Sequence, residues 1–414
     1  MSRLPGVERP ERVICHVDVD CFYAACERLR EPELAGEPVV VGMGYEDGEA
    51  HGAVATASYE ARAFGVESAM AISEALELLP RRVDADTSDP DAPDPGATGY
   101  YRPVDMAFYE DVSGDVKAVL EGAAETVRNV SIDEAYLDLG DLEWVDAERF
   151  ARELKADVEA AAGVVASVGI APNMTTAKLA SDAEKPDGLV VVRPDAVREF
   201  LAPMDVAELH GVGPVTAGEL REMGLETAGD VARADAATLV DAFGERGREL
   251  HAQARGDDDR EVEPRGRPKS FSRESAFVEA TDDADEKRAK VRSLAASVAD
   301  RATSEGVLYR TIGIKVVRPP YDVNSRARSL SGPVDDPELV EGVALDLLEE
   351  FRDDRVRKLG VRVSNLSFDD RQQATIDAWE DDDTGADPGT LCPEPIADAD
   401  RHRGDEQADL SDFG

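Results

Sequence analysis

Cysteine and histidine are sparse in this chain of 414 residues, and their placement excludes several kinds of protein. Cys15, Cys21, Cys26 and Cys392 show no C-x-x-C spacing and no nearby histidine pair, so neither a zinc site nor a disulfide framework is indicated. The five histidines, at 16, 51, 210, 251 and 402, are too scattered to support a His-based nucleophilic triad. No run approaches the roughly 18 apolar residues of a membrane span. The N-terminal MSRLPGVERPERV also lacks the apolar stretch of a signal peptide, which predicts a cytoplasmic protein without a membrane contact. Basic residues are short too: 46 Lys and Arg stand against 89 Asp and Glu, a net charge of −43.

Such a charge ordinarily argues against a nucleic-acid partner, since phosphate binding relies on Lys and Arg. A second reading is adaptation to molar salt, where the Debye length shrinks to about 3 Å and self-repulsion is screened. Few Lys, many Asp and many Ala favour the second. The distribution of charge supports it. Arg260 to Arg328 holds fifteen basic against eleven acidic residues, a net of +4, whereas Asp369 to Gly414 holds three against fifteen, a net of −12. A basic exception in an acidic chain needs a cause, and a polyanion supplies one.

The length allows two to four domains. Periodicity predicts strands at 12–19, 38–42, 53–58 and 129–138, helices at 21–30, 59–64 and 101–122, and Asp20 as the N-cap of the first helix. The Pro-, Gly- and Asp-rich stretch 84–99 reads as a surface loop. WVDAERFARELKADVEAAAG reads as an amphipathic helix and VVASVGIA as a buried strand. From 194 the pattern changes to short helices. A breaker-rich linker at 260–270 precedes a second α+β block at 271–368, and a disordered acidic tail is expected beyond it. The fold class is therefore α/β and α+β, multidomain.

The strongest chemical signal lies in two apolar, β-branched segments. VICHVDVDCFYA at 13–24 carries Asp18, and NVSIDEAYLD at 129–138 carries Asp133 and Glu134. Carboxylates flanked by Val13, Ile14, Val17, Val130, Ile132 and Leu137 are a poor fit to a solvated face. A carboxylate in an apolar strand is costly unless paired, and a divalent metal is the usual partner. Three carboxylates on two strands suit two Mg²⁺ ions about 3.5–4 Å apart, the arrangement of phosphoryl transfer.

Two weaker patterns point the same way. In ATASYEAR, Thr56, Tyr59 and Arg62 recur every three residues, and at a helix start they suit a triphosphate, although an exposed helix face reads as well. Lys185 precedes a Pro-Gly turn in ASDAEKPDG, and on its own a loop lysine of this kind usually reads as simply solvated. LHGVGPVTAGEL at 209–220 has the form of a helix–hairpin–helix, in which Gly211 and Gly213 expose backbone N–H groups to a DNA phosphate.

The ordered set DVDCFYA, ATASYEARAFGV, SIDEAYLD, VGIAPNMTTAKLASDAEKPDG and LHGVGPVTA resembles the Y-family translesion DNA polymerases, DNA polymerase IV branch, over residues 12–368. The resemblance implies a right-hand, Mg²⁺-dependent DNA polymerase, acting as a monomer on primer-template DNA and dNTP. It implies a palm (1–21 and 92–193), fingers (22–91), a helix–hairpin–helix thumb (194–259), the linker, and a little finger (271–368). It assigns metal binding to Asp18, the Val19 backbone carbonyl and Asp133, and catalysis to Glu134. Tyr23 matches the steric gate against a ribose 2′-OH, and Thr56, Tyr59, Arg62 and Lys185 match triphosphate contacts. Met174 departs from the family pattern, standing where Lys is common, and the 84–99 loop looks like an insertion.

In the tail, Gln407, Leu410 and Phe413 have the Q-x-x-L-x-x-F spacing of peptides that dock on a sliding clamp; Gln373, Ile376 and Trp379 form a poorer match. Two rival readings are a non-catalytic family member that binds DNA and clamp, and a palm-type nucleotidyl cyclase. The intact carboxylates oppose the first, and the helix–hairpin–helix with its basic block opposes the second.

Overall fold

The computed structural model describes residues 12–85, 89 and 92–368. Both clamp-like patterns lie outside them. The chain divides into two compact units at Gly266/Arg267. Among the described residues, no helix is long and apolar enough to cross a membrane.

In the first unit, β1 (Ile14–Val19) leads into α1 (Phe22–Arg30), followed by β2 (Val39–Met43), β3 (Ala53–Ala57), α2 (Tyr59–Arg62) and α3 (Ile72–Leu78). Next come β4 (Tyr100–Pro103), α4 (Met106–Ala123), β5 (Thr126–Asn129), β6 (Glu134–Asp138), α5 (Ala147–Ala162), β7 (Ala166–Ala171), α6 (Met174–Ala183) and β8 (Leu189–Val191). Short helices complete it: α7 (Val197–Leu201), α8 (Pro214–Glu222), α9 (Ala228–Arg233), α10 (Ala236–Phe243) and α11 (Glu245–Ala254). Five strands form a sheet in the order β5-β6-β1-β7-β8, and three form a smaller sheet in the order β3-β2-β4.

The period of two along β1 decides what each face carries. Val13, Cys15, Val17 and Val19 join a core with Tyr109, Val112, Val116 and Leu120 of α4 and Leu154 and Val158 of α5. Ile14 points the other way, into a cluster with Met174, Ala177 and Ala180 of α6. Gly169 lets α6 lie close to the sheet. A Cβ there would fall 2.2 Å from the Ala177 carbonyl oxygen and 2.3 Å from the Ser181 nitrogen.

Four expectations need correction. The segment 129–138 is a hairpin rather than one strand: β5 and β6 pair antiparallel, and Asp133 sits in the turn between them. The helix expected at 101–122 begins only at Met106, because Tyr100–Pro103 pairs in parallel with Val39–Gly42. That pairing also ties β4, expected within 92–193, to the segment 22–91. Finally, Asp20 is not an N-cap. Cys21 holds that position in the left-handed region at φ 48°, with no side-chain cap.

In the second unit, β9 (Ser270–Thr281), α12 (Ala284–Ser304), β10 (Leu308–Arg318), β11 (Asp322–Val334), α13 (Pro337–Leu348) and β12 (Val356–Ser367) form a four-stranded sheet in the order β11-β10-β12-β9, with the two helices packed on its core face. Lys287 of α12 is fully buried at 0% exposure. Its ammonium donates to the carbonyl oxygens of Phe351 (3.2 Å), Arg352 (2.5 Å) and Asp354 (2.8 Å), closing the turn beyond α13. Buried backbone oxygens stripped of a donor are costly, at about 1–3 kcal/mol each before relaxation. Lys287→Met, similar in length but without a donor, should therefore destabilise this unit by about 2–3 kcal/mol. Hydrogen exchange of amides in 267–368 of the full chain checks this, and unchanged protection would show that the three carbonyls find other donors.

Candidate active site

Register sets the site. In the antiparallel ladders of β1, Asp18 lies directly opposite Glu134 on β6 and opposite Ser167 on β7. Cross-strand partners share a face, so Asp18, Glu134 and Ser167 share one, two residues along β1 from His16. Over it α6 brings Lys178, whose ammonium stands 3.0 Å from Asp18 Oδ2 and 2.9 Å from Glu134 Oε1. Lys185, just past α6, reaches Asp18 Oδ1 at 2.6 Å and Asp182 at 2.9 Å. The local sequence alone suggests a solvated lysine; in the structure it is an ion-pair partner. His16, fully buried, sets Nε2 2.7 Å from Glu134 Oε1 and Nδ1 2.7 Å from Ser181 Oγ.

These neighbours divide the carboxylates into two kinds. Burial alone would raise the pKa of Asp18, but the Lys178 and Lys185 charges outweigh it and hold the group below its ordinary value. Glu134 is likewise pushed up by burial, yet the His16 and Lys178 contacts bring it down to about 2. Asp133 goes the other way. Burial and the Asp18 charge raise it to about 6, only partly offset by the Ser131 hydroxyl, which donates to it at 2.5 Å. The Asp133 carbonyl accepts from the Val19 nitrogen at 3.0 Å, which fixes the end of β1 against the β5–β6 turn.

Among the described residues, no three His, Cys, Asp or Glu side chains are already gathered as a metal cage. The donor chemistry nevertheless fits a hard cation. Asp18, Asp133, Glu134 and the Val19 carbonyl offer oxygen only, and a carboxyl held near pKa 6 by burial and a like charge is one that a dication would ionise.

Tyr23, on α1, is 2% exposed, and its ring stacks on Tyr109 of α4 at 4.6 Å and 16°. The Tyr109 hydroxyl in turn donates to Glu27 at 2.6 Å, so the pair is braced from below. Thr56 lies on β3 opposite Val41. Tyr59 and Arg62 bound α2, and the guanidinium lies 5.0 Å from the Tyr59 ring while donating to the Ala57 carbonyl. Because α2 is a single turn, an anion here depends on side chains rather than on a helix terminus. In the helix–hairpin–helix segment, Gly211 has φ +78°, and Gly213 caps α8, with Pro214 at its first position. Val212, between the two glycines, packs in a separate helical cluster with Val206, Leu209 and Leu220.

Sequence reasoning passed over Lys178, His16, Ser181, Asp182, Ser167 and the tertiary role of Asp20. Two signals were available. His16 is two residues before Asp18 on an alternating strand, and Lys178 and Asp182 sit four apart on a helix. Neither says that Gly169 brings that helix onto that strand.

Comparison with known proteins agrees with this geometry. The impB/mucB/samB family model matches residues 17–182, the model of that family's C-terminal domain matches 268–376, and the IMS family HHH motif matches 194–225. DNA polymerase IV of Halobacterium salinarum is 60% identical over 386 residues, covering 93% of this chain and 92% of its own length. DNA polymerase IV of Methanoculleus marisnigri is 40% identical over 370 residues, covering 89% and 98%. Among solved structures, a Y-family DNA polymerase chimera of Dbh and Dpo4 superposes with a TM-score of 0.74 at 28% identity, over 86% of this chain and 100% of the other. An insertion ternary complex of Dbh DNA polymerase superposes at 0.59, with 26% identity over 86% and 100%. Matched in all three segments and across most of its length, the chain belongs to the impB/mucB/samB family, the Y-family DNA polymerases, in its DNA polymerase IV branch.

Proposed function

We propose that this chain extends a DNA primer on a template, past damaged bases and with low fidelity, using the carboxylates that β1 and the β5–β6 hairpin bring together. One observation carries the assignment to these residues: Asp18 stands in register with Glu134, and Lys178 bridges the two at 3.0 and 2.9 Å. The enzyme is metal-dependent, and we assign it two Mg²⁺ ions held by Asp18, Asp133, Glu134 and the Val19 carbonyl. Bound there, they would supply the positive charge that clamps attacking and leaving oxygens in phosphoryl transfer.

The chain's own residues do the positioning. Lys185 ion-pairs Asp18 at 2.6 Å, so exchanging that carboxylate for a phosphate oxygen keeps its charge matched. Arg62 and Thr56 present a guanidinium and a hydroxyl for the remaining triphosphate oxygens, with Tyr59 beside Arg62 on α2 and its hydroxyl donating to Asp20. Tyr23 packs beneath the sugar and excludes a 2′-oxygen; its stack on Tyr109 keeps it from yielding. In this reading the five-stranded sheet is the palm and the three-stranded sheet, including β4, the fingers. The short helices 194–259 are the thumb, whose Gly211 and Gly213 N–H groups meet a DNA phosphate without reading sequence. The outer face of the second unit's sheet carries Lys315, Lys358 and Arg362, the two lysines pairing with Glu274 at 2.9 and 2.6 Å, and this basic excess suits a little finger against a DNA backbone. The protein works as a monomer in the cytoplasm, tethered to a sliding clamp through Gln407, Leu410 and Phe413.

Asp133→Asn and Glu134→Gln should each lower primer extension by about 100-fold or more while leaving primer-template affinity nearly unchanged, because these groups hold transition-state charge rather than DNA. Extension within about tenfold of wild type by both variants would remove the assignment and favour the non-catalytic alternative.

Tyr23→Ala should raise incorporation of ribonucleotides relative to deoxyribonucleotides by about 10- to 200-fold, the range that a filled or vacated pocket commands. Loss of a buried aromatic also costs about 3–5 kcal/mol of stability. The measurement is therefore the ratio of the two kcat/KM values, in which the folded fraction cancels. An unchanged ratio would reduce Tyr23 to a core aromatic.

Deleting residues 405–414 should leave distributive synthesis unaltered and abolish stimulation by the clamp. A tether to a ring encircling DNA raises local concentration, and apolar anchors such as Leu410 and Phe413 carry about 2 kcal/mol or more each. Should stimulation survive removal of both this pattern and Gln373, Ile376 and Trp379, the clamp contact lies in the folded units.

A further inference from the structure

Asp20 is a buried carboxylate, 8% exposed, just beyond the end of β1 and two residues from Asp18. A charge so placed must be surrounded by donors, and its donors come from three different pieces of chain. The Tyr59 hydroxyl of α2 donates to Oδ1 at 3.1 Å. The Ser167 hydroxyl of β7 donates to the same carboxylate, 2.9 Å from Oδ1 and 3.1 Å from Oδ2. The Asp187 backbone nitrogen, in the turn after Lys185, donates to Oδ2 at 2.7 Å.

The direction of the Ser167 bond follows from its other partner. Gly188 N–H donates to Ser167 Oγ at 3.0 Å, leaving the hydroxyl proton for Asp20. Two successive amides of one turn, Asp187 and Gly188, are thus tied to β1 directly and through β7. The far side of that turn is held from α5, where Lys155 donates to the Gly188 carbonyl at 2.9 Å and pairs with Asp187 at 2.8 Å. The Tyr59 bond is equally committed: burial, then the Asp20 charge and hydrogen bond, drive the phenol's pKa upward, so it keeps its proton.

These ties link what the proposed function requires to be spaced. Tyr59 and Arg62 sit on α2, Lys185 begins the tied turn, and Asp18 is on the strand that ends at Asp20. We propose that Asp20 is a positioning residue for nucleotide binding, holding the two triphosphate-contacting segments at a fixed distance from the carboxylates of β1. It touches neither substrate nor metal in this role. It acts through Tyr59 and through the Asp187–Gly188 turn, and this inference rests on the triphosphate assignment above.

An amide in place of the carboxylate keeps the shape but turns an N–H₂ toward one donor, so Asp20→Asn breaks the junction without opening a cavity. The test is steady-state single-nucleotide insertion with the full chain in high salt, alongside primer-template affinity and thermal midpoint. The expected result is a dNTP KM raised about tenfold or more with kcat within about threefold of wild type, and unchanged primer-template affinity. Ser167→Ala removes one donor to Asp20 and the acceptor of the Gly188 N–H but leaves the Tyr59 and Asp187 ties; it should shift KM in the same direction and serves if Asp20→Asn fails to fold. A double variant with Tyr59→Phe should raise KM by less than the product of the single effects, because both break the same bond. A dNTP KM within about twofold of wild type for Asp20→Asn and Ser167→Ala alike overturns the proposal, as does a fully multiplicative double variant. Asp133→Asn, run in parallel, separates the failures. If it is inactive while Asp20→Asn is normal, only the positioning role falls; if it extends normally, the site assignment itself falls.

Discussion

Two carboxylates on neighbouring strands and a third in the hairpin turn beside them, beneath a helix that approaches closely enough to neutralise the first two, are the constraint that orders the first unit. Each buried ion costs several kcal/mol in lost hydration, and contacts at full hydrogen-bond quality are needed to offset it. Lys178 supplies them to Asp18 and Glu134 together, and it can do so only because α6 lies against β7 at Gly169. Any side chain there would meet the α6 backbone at 2.2 Å and lift Lys178, Ser181 and Asp182 off the carboxylate face. The electrostatics of the site therefore rest on a packing condition one strand away.

The neutralisation is incomplete, and the incompleteness has a direction. Asp18 and Glu134 are held ionised by lysines and by His16, whereas Asp133 is left with burial, a like charge and one serine hydroxyl. Free energy invested in an uncompensated carboxyl is recovered when a cation arrives. The same logic explains why the ammonium groups stand where they do. Lys178 and Lys185 lie 2.6–3.0 Å from these carboxylates, and in the function proposed above Lys185 would exchange its carboxylate for a phosphate oxygen.

Much of this was legible in the chain. The alternation VICHVDVD placed Asp18 among apolar neighbours, and the five motifs in order fixed the family; neither needed tertiary information. What escaped was of one kind. Asp20 followed by a helix looks like a cap from local sequence alone, but Tyr59, Ser167 and Asp187 compete for it from 39 to 167 positions away, and three donors outweigh one local bond. The hairpin inside 129–138 was hidden because its turn carries Val130 and Ile132, residues that read as strand. Local sequence makes β4 look like the start of a helix because its parallel pairing with β2 is a long-range event. Local rules locate chemistry; only packing decides which donors reach it.

The charge of −43 bears on how such an enzyme holds DNA. In the molar salt that this acidity suits, the Debye length is about 3 Å, so long-range attraction between a basic face and DNA is largely screened. Contacts shorter than that length survive, as do the ion pairs of the site at 2.6–3.0 Å. Counterion release also weakens each phosphate contact as salt rises, so basic contacts of the kind proposed for the second unit's sheet would give shorter residence on the primer end. Catalysis at contact distance is thus robust to salt while DNA retention is not. A chain under that asymmetry gains most from an apolar anchor to something that already encircles the DNA, because apolar burial strengthens under salting-out conditions where electrostatic grip fades.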